Sequence, residues 1–367
     1  MITIEQRLVD VQNRPSGFDY LRIVLATGVI LAHSFLLTYG PAGERGNWFF
    51  YFAPLIVPMF FALSGFLIAG SFERSKSLFV FFGLRVFRIA PALSVEVLIS
   101  ALILGPLLTD YSLARYLSAP EFHVYFLNIL GEIHYVLPGV FLHNPTHLVN
   151  GQLWTVPFEL GCYLALGVIA VLNVYRRNWL LLASFIFLQS LQILNTIFRF
   201  NHNYNGAGGT TIILCFLAGL VLFRYRKSIP YSGGLALICL VLAVASGVIP
   251  NAIRFSPLPM AYLTIYLGLL NPARNKFLLS GDYSYGLYLY GYPLQQALVQ
   301  LLPAMRTWYW NFGLAMGLAG FVAFCSWHLI EKPVLSRKNV LQIMDDAIAG
   351  LWRQMRKAPP SPTLGDL

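Results

Sequence analysis

Apolar residues in this chain come in long runs, without the strict alternation of half-buried strands. They extend over Leu21 to Tyr39, Phe49 to Gly70, Ile89 to Leu108, Leu153 to Asn173, Trp179 to Phe198, Thr210 to Phe223, Tyr231 to Ile249, Pro257 to Leu270, Tyr283 to Leu302 and Tyr309 to Ile330. Most approach the ~20 residues that a helix needs to cross a bilayer, Pro257 to Leu270 being a short one. A further apolar stretch, Phe122 to Leu142, is interrupted by Glu132, His134 and Pro138, with His143 just beyond, which predicts a loop or a re-entrant element. The pattern predicts an all-α polytopic membrane protein of about ten transmembrane helices. These form one domain over residues 1–336, followed by a tail over residues 337–367. In the tail, Val340, Leu341, Met344, Ile348, Leu351, Trp352 and Met355 recur at helical spacing among Asp345, Asp346, Arg353 and Arg356. That periodicity predicts an interfacial amphipathic helix, or else a helix that binds a partner. Residues from Pro359 to Leu367 are expected to be disordered.

An even number of spans places both ends on one side, and the cations decide which side. Of the 25 Lys and Arg residues, only Arg45, Arg115, Arg199, Arg254 and Arg306 fall on the side opposite the termini. By the positive-inside rule both termini are cytoplasmic. No cleavable signal peptide is expected, because no small-residue cleavage site follows the first apolar run. The composition agrees: 57% of residues are hydrophobic and 11% charged, where soluble domains carry roughly 25% charged residues. The net charge of +10 belongs to short loops and not to one basic face, so nucleic acid is not an expected partner and membrane lipid is. Cys162, Cys215, Cys239 and Cys325 lie inside apolar runs at spacings that match neither a disulfide framework nor a zinc site.

Ionisable groups within an apolar span are costly and call for a reason. His33 follows Arg22 by eleven residues, which returns it to nearly the same helix face about 16 Å further along. With Arg22 at the cytoplasmic boundary, His33 lies near mid-membrane. Arg85 and Arg88 share a face at the start of the third span, where two guanidiniums offer forked hydrogen bonds to a phosphate or carboxylate. Glu159 lies just inside the fourth span and could polarise a histidine, pair with an arginine or bind a sugar hydroxyl. Trp154 offers a flat apolar surface to a sugar ring. Ser64 and Gly65, and likewise Gly313, Gly317 and Gly320, read as small residues at helix crossings. Tyr283, Tyr285, Tyr288, Tyr290 and Tyr292 read as an aromatic belt at the membrane surface. Glu331 reads as a partner for a cytoplasmic cation. Neither Gly-x-Ser-x-Gly, a Walker A loop, His-Glu-x-x-His nor a dinucleotide-binding glycine motif is found, which removes most support for hydrolase, nucleotide-driven and zinc chemistry.

These elements, in this order, resemble the acyltransferase 3 family of membrane proteins. The family's Asp and Arg followed by a helix ending in His is similar to Asp19 and Arg22 through His33. Its Ser-Gly-Phe span resembles Ser64 to Phe66, and its Arg-x-x-Arg resembles Arg85 and Arg88. Trp154, Glu159 and Tyr163, then Ser284 to Leu289, then Ile330 to Pro333 continue the match. One departure is Gly291-Tyr292-Pro293, where members often have His before Pro. The resemblance implies a bacterial inner-membrane O-acyltransferase with an acyl-CoA donor, usually acetyl-CoA, and as acceptor an envelope or exported saccharide, free or lipid-linked. Carried over, it implies His33 as the catalytic histidine with Glu159 in support, and Arg22, Arg85 and Arg88 on the donor. Trp154, Tyr163 and Ser64 would contact substrate, and no metal is implied. The competing class is a transporter or flippase for a lipid-linked glycan, with His33 and Glu159 as a proton relay, although no paired repeats are visible.

Overall fold

The computed structural model describes residues 2–12, 15–198, 207–276 and 278–357. The elements are α1 (Ile4–Asp10), α2 (Gly17–Arg45), α3 (Ala53–Arg74), α4 (Leu78–Ile99), a π turn at Ser100–Leu104, α5 (Gly105–Leu108), α6 (Leu113–Ser118) and α7 (Pro120–Tyr125). After an irregular stretch come α8 (Val156–Val171), α9 (Asn178–Phe198), α10 (Gly209–Arg224), α11 (Gly233–Val248), α12 (Pro257–Gly268), α13 (Ser284–Leu301) and α14 (Trp308–Ser326). A second π turn at Trp327–Glu331, α15 (Lys332–Ser336) and α16 (Asn339–Lys357) complete the order. Among the described residues the only β pairing is two isolated bridges, Thr3 with Pro230 and Thr109 with Val140.

Every apolar run of the sequence is helical, but the runs are unequal. Among the described residues, six stretches are long and apolar enough to cross a membrane: Gly17–Arg45, Ala53–Arg74, Leu78–Leu108, Gly151–Val171, Asn178–Phe198 and Trp308–Gly350. The others are shorter or more polar, α12 having 12 residues. Phe187, Leu191, Leu194, Leu237, Ile238 and Val241 on α9 and α11 are exposed, an apolar surface that water would not tolerate and lipid does. The chain is an integral membrane protein.

Local chemistry sets the helix ends. Thr3 and Gln6 form a reciprocal capping box at α1, and the Ser77 hydroxyl accepts from the Val80 N–H at 3.2 Å to start α4. Gly40 adopts φ +74°, outside the helical region, directly before Pro41. The straight part of α2 therefore ends near Tyr39, as the apolar pattern predicts. The interrupted stretch after residue 122 is an ordered cap and not a span. Phe122, Tyr125, Leu137, Val140 and Phe141 are buried in the core, and the Thr109 hydroxyl donates to the Pro138 carbonyl at 2.7 Å. In the tail, Leu341 is buried against α4 at Gly83, while Val340, Ile343, Met344 and Ile348 stay exposed. The side chains expected at Leu351, Trp352, Arg353, Met355 and Arg356, and the segment from Pro359, lie outside the described residues.

The tightest crossing is α3 on α10. Gly65 lies against the Phe216 carbonyl and Gly219 against the Ala62 carbonyl, so the two backbones touch where neither residue has a side chain. The glycines of α14 behave otherwise. Gly313, Gly317 and Gly320 face open space, and it is Ala315, Ala319 and Ala323, all buried, that pack toward α2 and α13. The close-packing expectation is thus right for Gly65 and wrong for α14, because the interior face of α14 is one residue pair out of phase with its glycines.

Gly65→Ala should destabilise the detergent-purified protein by about 1–3 kcal/mol through overpacking, whereas Gly317→Ala should be neutral or slightly stabilising. Equal shifts in thermal unfolding would show that the α3–α10 crossing is not tight.

Candidate functional site

A cavity of about 380 Å³ opens among α2, α3, α4, α8, α10 and α13. Its lining brings together Arg22, Ser64, Arg85, Arg88, Glu159 and Tyr163, with Arg74, Thr155, Asp282, Tyr285 and Tyr288 added by the fold. Six residues singled out from sequence therefore meet in one place.

The arginines are not equivalent. Arg88 is held on two sides: it donates to Glu331 Oε2 at 2.8 Å and to Asp282 Oδ2 at 2.7 Å, and its guanidinium lies over the Tyr285 and Trp327 rings at 5.3 and 5.9 Å. Glu331 is 1% exposed. A carboxylate so buried persists only with a charged partner, and the π turn over Trp327–Glu331 brings it to α4. Arg22 shares Asp282 at 3.6 Å and also pairs with Asp19 at 3.6 Å. Burial raises the Asp282 carboxyl, but Arg88 and then Arg22 outweigh it and hold it at about 2. With a depressed folded-state value, this pairing stabilises the fold fully above the ordinary aspartate range and is lost only as pH falls toward 2.

Arg85 is held by neutral groups. It donates to the Ser71 hydroxyl at 3.0 Å and stands over the Phe81 ring at 5.8 Å. Its Nε is buried without a hydrogen-bond partner, and no carboxylate lies within ion-pair distance of it among the described residues. A guanidinium in a cavity with an unmet donor is a receptor for an anion. Glu159 faces the same cavity and accepts a hydrogen bond from the Tyr163 hydroxyl. It shares the chamber of Arg85, and no contact joins it to His33 among the described residues.

His33 stands outside that lining. Its ring meets Tyr292 edge-on, with centroids 4.8 Å apart, and it is partly exposed. Tyr288 lines the cavity, shares a 2.6 Å hydrogen bond with Thr155 and donates to the Gln152 carbonyl at 2.5 Å. One turn along α13, Tyr292 reaches His33. Trp154 is also outside the lining and packs edge-on against Phe158 at 5.9 Å. The aromatic-belt expectation for α13 is corrected, since Tyr285 and Tyr288 line the cavity while Tyr290 and Tyr292 are 3% and 2% exposed. Asp282 escaped sequence reasoning because an acid between two spans attracts no notice. Glu96, 1% exposed and bonded to Ser100 at 2.9 Å, did carry a signal, being a lone carboxylate in an apolar run.

A charged cavity within a bundle of apolar helices defines a membrane protein with a polar chamber among its helices. The acyltransferase 3 family model, described as an acyltransferase domain, matches residues 16–330. The chain belongs to that family and is an acyltransferase, which sets the transporter reading aside. It is 27% identical over 347 residues to an O-acetyl transferase of Shigella phage Sf6, covering 89% of this chain and 98% of the relative. It is 27% identical over 360 residues to nodulation protein 10 of Rhizobium leguminosarum bv. viciae, covering 89% and 95%. No solved structure matches it.

Glu331→Ala should cost roughly 3–5 kcal/mol by leaving Arg88 without its buried partner. Asp282→Ala, at a side chain 29% exposed, should cost less. Chemical unfolding in detergent micelles checks the order, and a larger loss at Asp282 would contradict the assignment.

Proposed function

We propose that the protein transfers an acetyl group from cytosolic acetyl-CoA to a hydroxyl of an envelope or exported saccharide. In this reading it works in the bacterial inner membrane, with about ten spans and both termini in the cytoplasm. The observation that carries the reading is the convergence of Arg22, Arg74, Arg85 and Arg88 on one cavity whose wall, Tyr288, lies one turn from the tyrosine that touches His33. The name of the phage relative, O-acetyl transferase, supports the choice of acetyl.

Arg85, with its unmet donor, is the first ligand for the donor's phosphates, assisted by Arg22 and Arg74. Arg88 holds the site's shape through its two carboxylates. The cavity lies at the lower end of the ~300–1,000 Å³ range of ligand pockets, which suits the slender arm of the donor with the nucleotide left outside. Ser64, Glu159 and Tyr163 supply polar contacts along the arm, and the acyl end passes Tyr288 to reach His33. There an unprotonated ring nitrogen takes the proton of the sugar hydroxyl, the hydroxyl oxygen bonds to the thioester carbonyl carbon, and the C–S bond breaks. The departing thiolate recovers the proton from the imidazolium. In the covalent variant the ring nitrogen bonds to the carbonyl carbon as the C–S bond breaks, the sugar oxygen then bonds to that carbon as the C–N bond breaks, and the freed thiolate takes up the hydroxyl proton.

With labelled acetyl-CoA and purified protein, label should appear on glycan or on protein. His33→Ala should abolish transfer while acetyl-CoA still binds, and turnover retained in that variant would remove His33 from the mechanism. Arg85→Gln should weaken acetyl-CoA binding about 10- to 100-fold, and unchanged affinity would make Arg85 a topology anchor.

A further inference from the structure

On the His33 side of Tyr288 the protein gathers buried polar groups that have no partner. Asn150 is fully buried, and neither its Oδ1 nor its Nδ2 makes a hydrogen bond. Gln152, 1% exposed, donates from Nε2 to the Leu289 carbonyl at 2.7 Å and leaves Oε1 unmet. The Tyr292 hydroxyl has Thr146 in its neighbourhood but makes no hydrogen bond of normal geometry.

These groups belong to one place. Gly151, between Asn150 and Gln152, lies so close to Tyr292 that a Cβ there would come within 2.7 Å of the ring. The same ring meets His33. His33 itself lies on the inward stripe of α2, with Val29, Ile30 and Leu37 buried one turn to either side. Buried polar atoms are paired in the great majority of cases, so orphans on Tyr292, which touches His33, and on the two residues flanking Gly151 point to a partner that the protein itself does not supply.

Their chemistry selects the ligand. Asn150 offers a donor and an acceptor side by side, Gln152 an acceptor, and Tyr292 a hydroxyl that can do either. No cation stands among these three residues to receive a carboxylate or phosphate, and an acyl chain would leave every one of them unmet. A ligand bearing adjacent hydroxyls, each donor and acceptor at once, satisfies them all.

We propose that Asn150, Gln152 and Tyr292 form the acceptor subsite and hold the hydroxyls next to the one that His33 presents for acylation. The proposal rests on the reading of His33 given above and extends it to the acceptor's chemical class, a vicinal diol of a sugar ring. A site built to hydrogen-bond hydroxyls loses its substrate when its polar atoms are removed.

The test pairs two readouts on the full-length protein: acetyl bound to glycan extracted from its native cells after gene replacement, and acetyl-CoA binding to purified protein. Asn150→Ala and Tyr292→Phe, the latter keeping the ring against Gly151 and His33, should each lower glycan-bound acetyl at least about tenfold, with acetyl-CoA affinity changed less than about twofold. Glycan acetylation that survives both substitutions overturns the proposal. So does a parallel fall in acetyl-CoA affinity, which would make these residues structural. If the unaltered protein adds no acetyl to glycan, the functional reading falls first and the subsite with it, an outcome distinct from the other two.

Discussion

A guanidinium among apolar helices is costly unless anions meet it, and Arg88 meets two. Glu331 arrives from the end of α14 and Asp282 from the turn before α13, so one side chain of α4 ties three parts of the chain together. The arrangement is mutual, since Glu331 could not remain ionised where it is without Arg88. Asp282 carries the tie on to Arg22, which fixes the base of the helix that bears His33.

This pairing gives the arginines different work. Arg88 is matched by carboxylates, and Arg85 has no ion pair among the described residues, which is why the proposed donor site is built on Arg85. Distance then organises the rest. Arg22 and His33 stand on one face of α2, separated by about 16 Å of helix, and Tyr288 of the cavity wall is fixed by hydrogen bonds to Thr155 and Gln152.

The sequence disclosed what lipid makes expensive. Arg22, Arg85 and Glu159 interrupt or border apolar runs, and all three reach the cavity. The apolar runs likewise foretold where helices lie, although not their unequal lengths, α12 having only 12 residues. Asp282 stayed hidden because loops tolerate acids, and Tyr288 because tyrosine at a span's end is ordinary at a membrane surface. Asn150 and Gln152 were hidden for a third reason: polar residues just ahead of a span look like loop residues until the fold buries them. Which glycines touch a neighbour was equally illegible, since small residues mark possible crossings and only phase decides among them.

The central claim is that the arginine-lined cavity receives the acyl donor. Ser64→Cys, in a protein whose own four cysteines are replaced, puts a single thiol in that cavity. The rate at which a water-soluble thiol reagent modifies it should fall about tenfold or more on adding acetyl-CoA, as for a pocket that buries most of its ligand. A rate indifferent to saturating acetyl-CoA would contradict the account.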